Sequence, residues 1–331
     1  MSRILITGGA GFIGGHLARA LADRGFEIHL VDNLARGRQD RFLTELLEGS
    51  KVELIQRSLG EPGALADLPD DYSHIFHLAA ILGVQNVLDR PYATLRDNVA
   101  LLESAIDLAR RQRELERFVF ASTSEVYAGS LQHLDLPFPT PENVPIALPD
   151  LDQPRTSYML SKLYGEAMVQ HAGVPFTIVR PHNFYGPRMG LAHVVPQLLE
   201  KAHRADAGSE IEVFSVEHRR TFCFIDDAVA MIAAAATKPD CAGRTLNIGS
   251  ESPEVSIGEL AELIVRVVGK PLSIAPAPTT PGSPSRRCPD MSLTSELVGL
   301  RADTSLEDGV RRTYEWYLPT VFEGHGDDVA R

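Results

Sequence analysis

A short apolar run, Arg3-Ile-Leu-Ile-Thr7, passes directly into Gly8-Gly-Ala-Gly11-Phe-Ile-Gly14. An amphipathic stretch, His16-Leu-Ala-Arg-Ala-Leu-Ala-Asp23, follows, and then a second apolar run, Glu27-Ile-His-Leu-Val31, ends at Asp32. Strand, glycine turn, helix, strand and terminal acid in this order constrain the fold more than any other part of the chain. In such a unit the first glycine permits the tight turn. The second lets the backbone approach a diphosphate, and the third lets the helix pack on the strand. The helix start offers unpaired N–H groups and partial positive charge to phosphates. Gly8, Gly11, Phe12, Ile13 and Gly14 are therefore assigned to a dinucleotide site, together with Asp32 and Asn33. A carboxylate at Asp32 accepts hydrogen bonds from an adenosine ribose and opposes a 2′-phosphate, which favours NAD. Arg36 and Arg38, just beyond it, are placed to meet a phosphate and pull the other way.

The first 130 residues continue to alternate strand and helix patterns. Val52-Glu-Leu-Ile55, His74-Ile-Phe-His77 and Arg117-Phe-Val-Phe-Ala121 read as buried strands, with the clearest helix at residues 99–113. This order implies an α/β fold with a Rossmann-type doubly wound parallel sheet. Ligands then sit beyond the carboxyl ends of the strands, so residues after Thr7, Val31, His77 and Ala121 share one crevice. Residues 131–154, rich in proline and acid, read as a long connection, followed by a helix at 156–171 and the strand Pro175-Phe-Thr-Ile-Val-Arg180. Later helices at 194–205 and 257–268 alternate with short strands and a Pro/Ser-rich loop at 276–284. Thr245-Leu-Asn-Ile248 still looks like a sheet strand, which points to a smaller α/β substrate domain interleaved with the first. The expected division is residues 1–180 for the cofactor, with strands around 220–249 returning to it, and 181–318 for the substrate. Residues 319–331 form a tail without a strong pattern.

With 331 residues and 44% hydrophobic content, the chain can bury one large core or two modest ones. A net charge of −12 without a long single-sign run suggests neither a nucleic-acid nor an anionic-membrane surface. An anionic ligand must then be held by local cations. Cys223, Cys241 and Cys288 lack metal-like spacing, so no metal is expected, and their scarcity fits a reducing, cytoplasmic location. The immediate entry into a strand leaves no room for a signal peptide, and the small-apolar run 228–236 is too short to span a bilayer.

Tyr158-Met-Leu-Ser-Lys162 lies in a helical stretch, and a spacing of four places both side chains on one face. A nearby cation and the charge of an oxidised nicotinamide favour phenolate, which can remove a hydroxyl proton while hydride leaves the same carbon. Ser122-Thr123-Ser124-Glu125 follows the strand ending at Ala121, at the ligand end of the sheet. Hydroxyls there can polarise a substrate oxygen, and the carboxylate can act as acid or base. Thr123, Ser124, Glu125, Tyr158 and Lys162 are the candidate catalytic residues. The alternatives are a surface helix with an incidental Tyr and Lys, and a Glu125 bonded to backbone N–H groups.

Taken together these pieces resemble the extended short-chain dehydrogenase/reductases that act as nucleotide-sugar epimerases, dehydratases and decarboxylases. The resemblance is carried by Thr7 to Gly14, Asp32-Asn-Leu34, His77-Leu-Ala-Ala80, Ser122-Thr-Ser-Glu-Val-Tyr127 and Tyr158 with Lys162. Arg180-Pro-His-Asn-Phe-Tyr-Gly-Pro187, Arg219-Arg-Thr-Phe222 and Arg287-Cys-Pro-Asp290 extend it over nearly the whole chain. It implies that NAD takes hydride from C4 of a nucleotide-linked hexose, with Thr123 assisting Tyr158 and Lys162 holding the nicotinamide ribose. It implies further that Leu78, Ala79 and Ala80 line the cofactor, that Asn183 contacts the nucleotide diphosphate, and that Arg220 and Arg287 neutralise it. Arg286 is the alternative to Arg287. His77 reads as packed at a strand end, and His182 and His193 as possible neighbours of the sugar.

Glu125 hints at chemistry at C5 or C6, because simple 4-epimerases of this family usually carry a small or apolar residue there. Thr-Ser-Glu is similar to the uronate decarboxylases and also to the GDP-mannose dehydratases, whose usual preference for NADP Asp32 disfavours. Gly186-Pro-Arg-Met189 looks like the decarboxylase pattern, though Gly-Pro-Arg is common more widely, whereas His77-Leu-Ala-Ala80 through Pro91 resembles the uronate and hexose 4-epimerases. The order of expectation is a UDP-glucuronate-type decarboxylase, then a UDP-hexose or UDP-hexuronate 4-epimerase, then a 4,6-dehydratase, with a non-catalytic NAD sensor as a different class. Ser58-Leu59 stands where the family usually has an adenine-holding Asp, and Ala128 where it has glycine. A homodimer through the helices at 99–113 and 156–171 is implied by the resemblance alone.

Overall fold

The computed structural model describes residues 2–37, 39–49, 51–280 and 282–324, so Arg38 and the end of the expected tail lie outside the described residues. Seven parallel strands form one sheet: β1 (Arg3–Thr7), β2 (Glu27–Asp32), β3 (Val52–Gln56), β4 (Tyr72–His77), β5 (Arg117–Ala121), β6 (Phe176–Pro181) and β7 (Arg244–Ile248). Their order is β7-β6-β5-β4-β1-β2-β3. Every residue of β4 and β5 is buried, as expected of strands covered by helices on both faces. The order reverses at β1, and this switch point opens the crevice that receives ligands.

Helices α1 (Phe12–Asp23), α2 (Arg41–Glu48), α3 (Pro91–Arg111) and α4 (Thr156–Gln170) flank the sheet. Two begin or extend differently from the sequence pattern. α1 starts at Phe12, immediately after the glycine turn, so its first turn is built from the motif itself. α3 starts at Pro91 rather than at residue 99, because proline at the first helical position already has the required φ and needs no N–H partner. α3 and α4 pack side by side, closed by Gly165 against Phe120 and Leu102.

The remainder forms smaller sheets and further helices, the longer of them α5 (Val194–Arg204), α6 (Ile225–Thr237), α7 (Ile257–Val268) and α8 (Leu306–Tyr317). Strands Glu210–Phe214 and Ser273–Ala277 pair in parallel, and Arg219–Arg220 lies between Val255–Ser256 and Arg286–Arg287. A single apolar cluster runs from Ile4 and Leu17 of the large sheet layer through α6 to Leu260 and Val310. α6 packs against α1 along its alanines, and no described helix is long and apolar enough to cross a membrane. The stretch after Tyr317 is ordered by packing that its sequence does not advertise. Leu318–Phe322 forms a wide helical turn, and Phe322 stacks on His203 with ring centroids 5.0 Å apart.

Candidate active site

The glycine turn fits a dinucleotide on steric grounds. Gly8 has φ +71°, and a Cβ there would stand 2.8 Å from the Ala79 nitrogen, so a side chain is excluded twice. At Gly14 a Cβ would approach the Gly8 carbonyl to 2.3 Å, which is why α1 can sit down on the turn. Asp32 is buried, with one carboxylate oxygen accepting from the Ala10 N–H at 3.1 Å and the other from the Leu34 N–H at 2.8 Å. Burial pushes its pKa above the ordinary value, and these N–H groups pull the other way. With backbone N–H groups of Ala10, Asn33 and Leu34 around it, the carboxylate retains accepting capacity for a ribose hydroxyl. Asn33 is exposed and caps the local turn through Ala35 N–H. Leu78 and Ala79 hang from Thr7, through its carbonyl at 3.1 Å and its hydroxyl at 3.4 Å, and run with Ala80 along the crevice floor. Phe12 and Ile13 occupy the first turn of α1, half-buried. The residues present thus fit NAD, with the glycine turn for the diphosphate and Asp32 for the adenosine ribose.

Tyr158 and Lys162 both point from α4 toward the end of β5. The Lys162 ammonium is buried, donates to the Ala121 carbonyl at 2.7 Å and lies 6.0 Å from the Tyr158 ring centroid. Burial pulls its pKa down to about 8. Tyr158 hydrogen-bonds Thr123, but burial and the charge of Glu125 together hold its phenol well above its ordinary pKa. The cation that pulls the phenol down in the ligand-free chain is Arg36, which also donates to the Leu82 carbonyl at 3.3 Å. These surroundings favour the neutral phenol.

Thr123 caps the turn Ser124–Tyr127, accepting from the Glu125 N–H at 3.2 Å, and Ser124 is buried beside a small cavity shared with Tyr127, Phe138, His182 and Arg287. The Glu125 carboxylate does not rely on backbone N–H groups; it accepts from Arg287 at 2.6 Å. Burial alone would raise its pKa, yet the charges of Arg287 and Arg155 and the Arg287 hydrogen bond hold it below the ordinary value. Arg287 lines the same small cavity as Ser124 and His182, and its buried Nε has no hydrogen-bond partner among the described residues. Arg286 is instead bidentate to Glu254, at 2.7 and 2.8 Å.

Asn183 adopts φ +43° and donates its side-chain amide to the Thr221 carbonyl at 2.9 Å. Arg220 bonds the Pro284 carbonyl and Ser283, and burial together with the charge of Arg287 lowers it to about 10. Arg220 and Arg287 are register partners on adjacent strands, so two mutually repelling guanidiniums stand side by side and form a local positive site suited to an anionic ligand. Of the histidines, His77 is buried, bonded to Thr7 at 2.9 Å and stacked near Phe118 and Phe120, and its pKa falls to about 3 through burial. His182 is likewise buried and bonded to Asn247 at 3.0 Å. His193 precedes α5 as its N-terminal flank.

A buried network behind the site escaped the sequence analysis. Glu166 accepts from Ser122 at 2.5 Å and from Arg180 at 2.7 and 2.9 Å, and Arg180 also bonds the Tyr127 hydroxyl at 2.8 Å. That hydroxyl donates to Asn247 at 2.9 Å. The signal was present: Glu166 continues the spacing of four from Tyr158 and Lys162, so all three share one face of α4.

A family model described as the NAD dependent epimerase/dehydratase family matches residues 4–249. A UDP-N-acetyl-alpha-D-glucosaminuronate decarboxylase of Bacillus cytotoxicus is 32% identical over 95% of this chain and 97% of its own. UDP-glucuronic acid decarboxylase 1 of Arabidopsis thaliana is 32% identical over 94% of this chain and 68% of its own. The crystal structure of a UDP-glucose 4-epimerase of Thermotoga maritima with UDP-glucose superposes with a TM-score of 0.79 at 26% identity, covering 96% of this chain and 98% of that one. With a glycine turn shaped for NAD and Thr123, Tyr158 and Lys162 gathered beyond β5, the chain belongs to the NAD-dependent epimerase/dehydratase family, an enzyme whose cofactor is NAD and whose substrates are nucleotide sugars.

Proposed function

We propose that this enzyme decarboxylates a UDP-linked hexuronate after transient oxidation at C4. The observation that carries the reading is the Glu125–Arg287 pair. A cation held only by a displaceable carboxylate is a ready receptor for the carboxylate of a uronate. NAD held by the glycine turn, Asp32 and Lys162 would supply a hydride acceptor at C4 that can return the hydride. Tyr158, hydrogen-bonded to Thr123, takes the proton of the 4-hydroxyl, and Lys162 holds the nicotinamide ribose. Asn183 and Arg220 hold the diphosphate. Arg287 turns from Glu125 to the substrate C6 carboxylate. The C5–C6 bond then breaks, carbon dioxide leaves, and the electron pair moves onto the 4-keto oxygen beside Tyr158 and Thr123. With Arg287 turned away, Glu125 loses its hydrogen bond and one of the charges of Arg287, Arg155 and Arg220 that oppose burial, which favours its uptake of a proton from solvent for delivery to C5.

The two decarboxylases among the relatives support this reading. A 4-epimerase is the second reading, favoured by the apolar Leu78-Ala-Ala80 floor and by the superposition on the Thermotoga maritima enzyme. Incubation with NAD and UDP-glucuronate followed by mass spectrometry separates them. A product lighter by carbon dioxide supports the first, and unchanged mass with a new sugar supports the second.

We also infer that residues 1–180 with β7 bind the cofactor and 181–318 the nucleotide sugar. The working unit is a homodimer formed through α3 and α4, whose outer faces expose Tyr92 and Tyr164. Three unpaired thiols support a cytoplasmic location.

A further inference from the structure

Arg188 follows the segment that carries Asn183, yet its side chain is buried against the glycine turn at the other side of the crevice. Its guanidinium donates to the Ala10 carbonyl at 3.1 Å, to the Gly11 carbonyl at 3.4 Å and to Asp40 at 2.5 Å. The side chains of Arg188 and Asp40 are only 5% and 3% exposed. Asp40 is fixed in turn as the N-cap of α2, accepting from the Leu43 N–H at 2.8 Å. The guanidinium lies over the Phe42 ring, 4.7 Å from its centroid.

Two observations indicate that this contact serves the turn. Ala10 is gripped at both ends, its N–H by Asp32 and its carbonyl by Arg188. The Gly11 carbonyl belongs to the same peptide plane as the Phe12 N–H, a first-turn donor of α1 that points the opposite way. Gly15, one residue beyond the glycine motif, has no role in the motif. A Cβ there would stand 2.5 Å from Arg188 Nη1 and 3.1 Å from Phe42, so this glycine makes room for the guanidinium.

We propose that Arg188 is a positioning residue for NAD: it fixes the Gly11–Phe12 peptide plane so that the Phe12 N–H meets the cofactor diphosphate, while the Gly11 N–H, in the plane of the Ala10 carbonyl it also grips, is held by the Gly8 carbonyl at 3.2 Å. Through its own backbone it ties that turn to the segment that holds the nucleotide sugar. The proposal holds for any reaction that begins with oxidation at C4.

The test measures the NAD dissociation constant by calorimetry on enzyme freed of cofactor, beside UDP binding and the melting temperature. Arg188→Lys keeps the charge for Asp40 but loses the fork, and NAD affinity should fall about tenfold or more. Gly15→Ala should weaken NAD binding in the same sense by displacing the guanidinium, although alanine favours the helix. Asp40→Asn, which keeps the cap and both carbonyl bonds, should leave NAD affinity within about threefold. The proposal is overturned if Arg188→Lys and Gly15→Ala both bind NAD as the parent does. It is also overturned if Asp40→Asn loses as much as Arg188→Lys, since the contact would then serve only to anchor α2.

Discussion

Glu125 and Arg287, separated by 162 positions, meet at 2.6 Å with both side chains mostly withdrawn from solvent. Glu125 is brought there by the turn after β5, and Arg287 by a two-residue strand paired with Arg219–Arg220. The pair links the surroundings of Tyr158, whose phenol feels the charge of Glu125, to the adjacent guanidinium of Arg220. Its ionic contact also helps hold the Glu125 pKa below its ordinary value against burial, together with the charges of Arg155 and Arg220.

Glu125→Gln should therefore separate the two halves of the reaction. Reduction of enzyme-bound NAD on addition of UDP-glucuronate, read as nicotinamide absorbance, should persist. Release of carbon dioxide should fall by a factor on the order of 10²–10⁴, the usual contribution of a positioned acid or base. Equal loss of both signals would give Glu125 a structural role instead.

Tyr158→Phe should abolish hydride transfer while NAD stays bound. In the ligand-free enzyme the phenol is held above its ordinary pKa by burial and by Glu125. Adding NAD should lower the pH at which the phenolate ultraviolet band appears in the difference spectrum of parent and variant. A band unmoved by NAD would remove the phenolate from the account.

Lys162 supplies a pH dependence with a defined sign. Burial lowers its pKa to about 8, so its folded-state value lies below that of the unfolded chain. The ammonium is present below about pH 8 and is lost as the pH rises through that value. NAD affinity should weaken across that window, and Lys162→Met should bind NAD weakly at every pH. The same proton release makes the contribution of Lys162 to folding more favourable between its folded and unfolded pKa values, so melting and NAD affinity should diverge there.

The α/β sheet and the glycine turn were legible because their signals are local: a buried parallel strand is a continuous apolar run, and a dinucleotide turn is a fixed spacing of glycines. Tyr158 with Lys162 was legible through helical periodicity. What local pattern cannot supply is pairing across the chain. Glu125 with Arg287, Glu166 with Arg180, and Arg188 with Asp40 each join residues from different elements, and a lone Arg or Glu reads as a solvated surface charge. The early start of α3 was hidden for a related reason, since residues 91–98 include polar positions such as Arg96 and Asp97 that face solvent or Asn98 that turns inward to Ile81.

The buried Glu166–Arg180 pair allows a stability prediction. Glu166→Gln or Arg180→Met alone should cost about 3–5 kcal/mol, because each leaves a buried charge without its partner. The double variant should recover part of that loss in denaturant unfolding. Additive losses would indicate that the two side chains act independently.

Loss of a C6 carboxylate from this site is read most directly with UDP-glucuronate labelled with carbon-13 at C6, followed by NMR in the presence of NAD-loaded enzyme. The label should appear as carbon dioxide and bicarbonate while the UDP-sugar product loses it. Retention of the label in a UDP-hexuronate epimeric at C4 would instead establish a 4-epimerase.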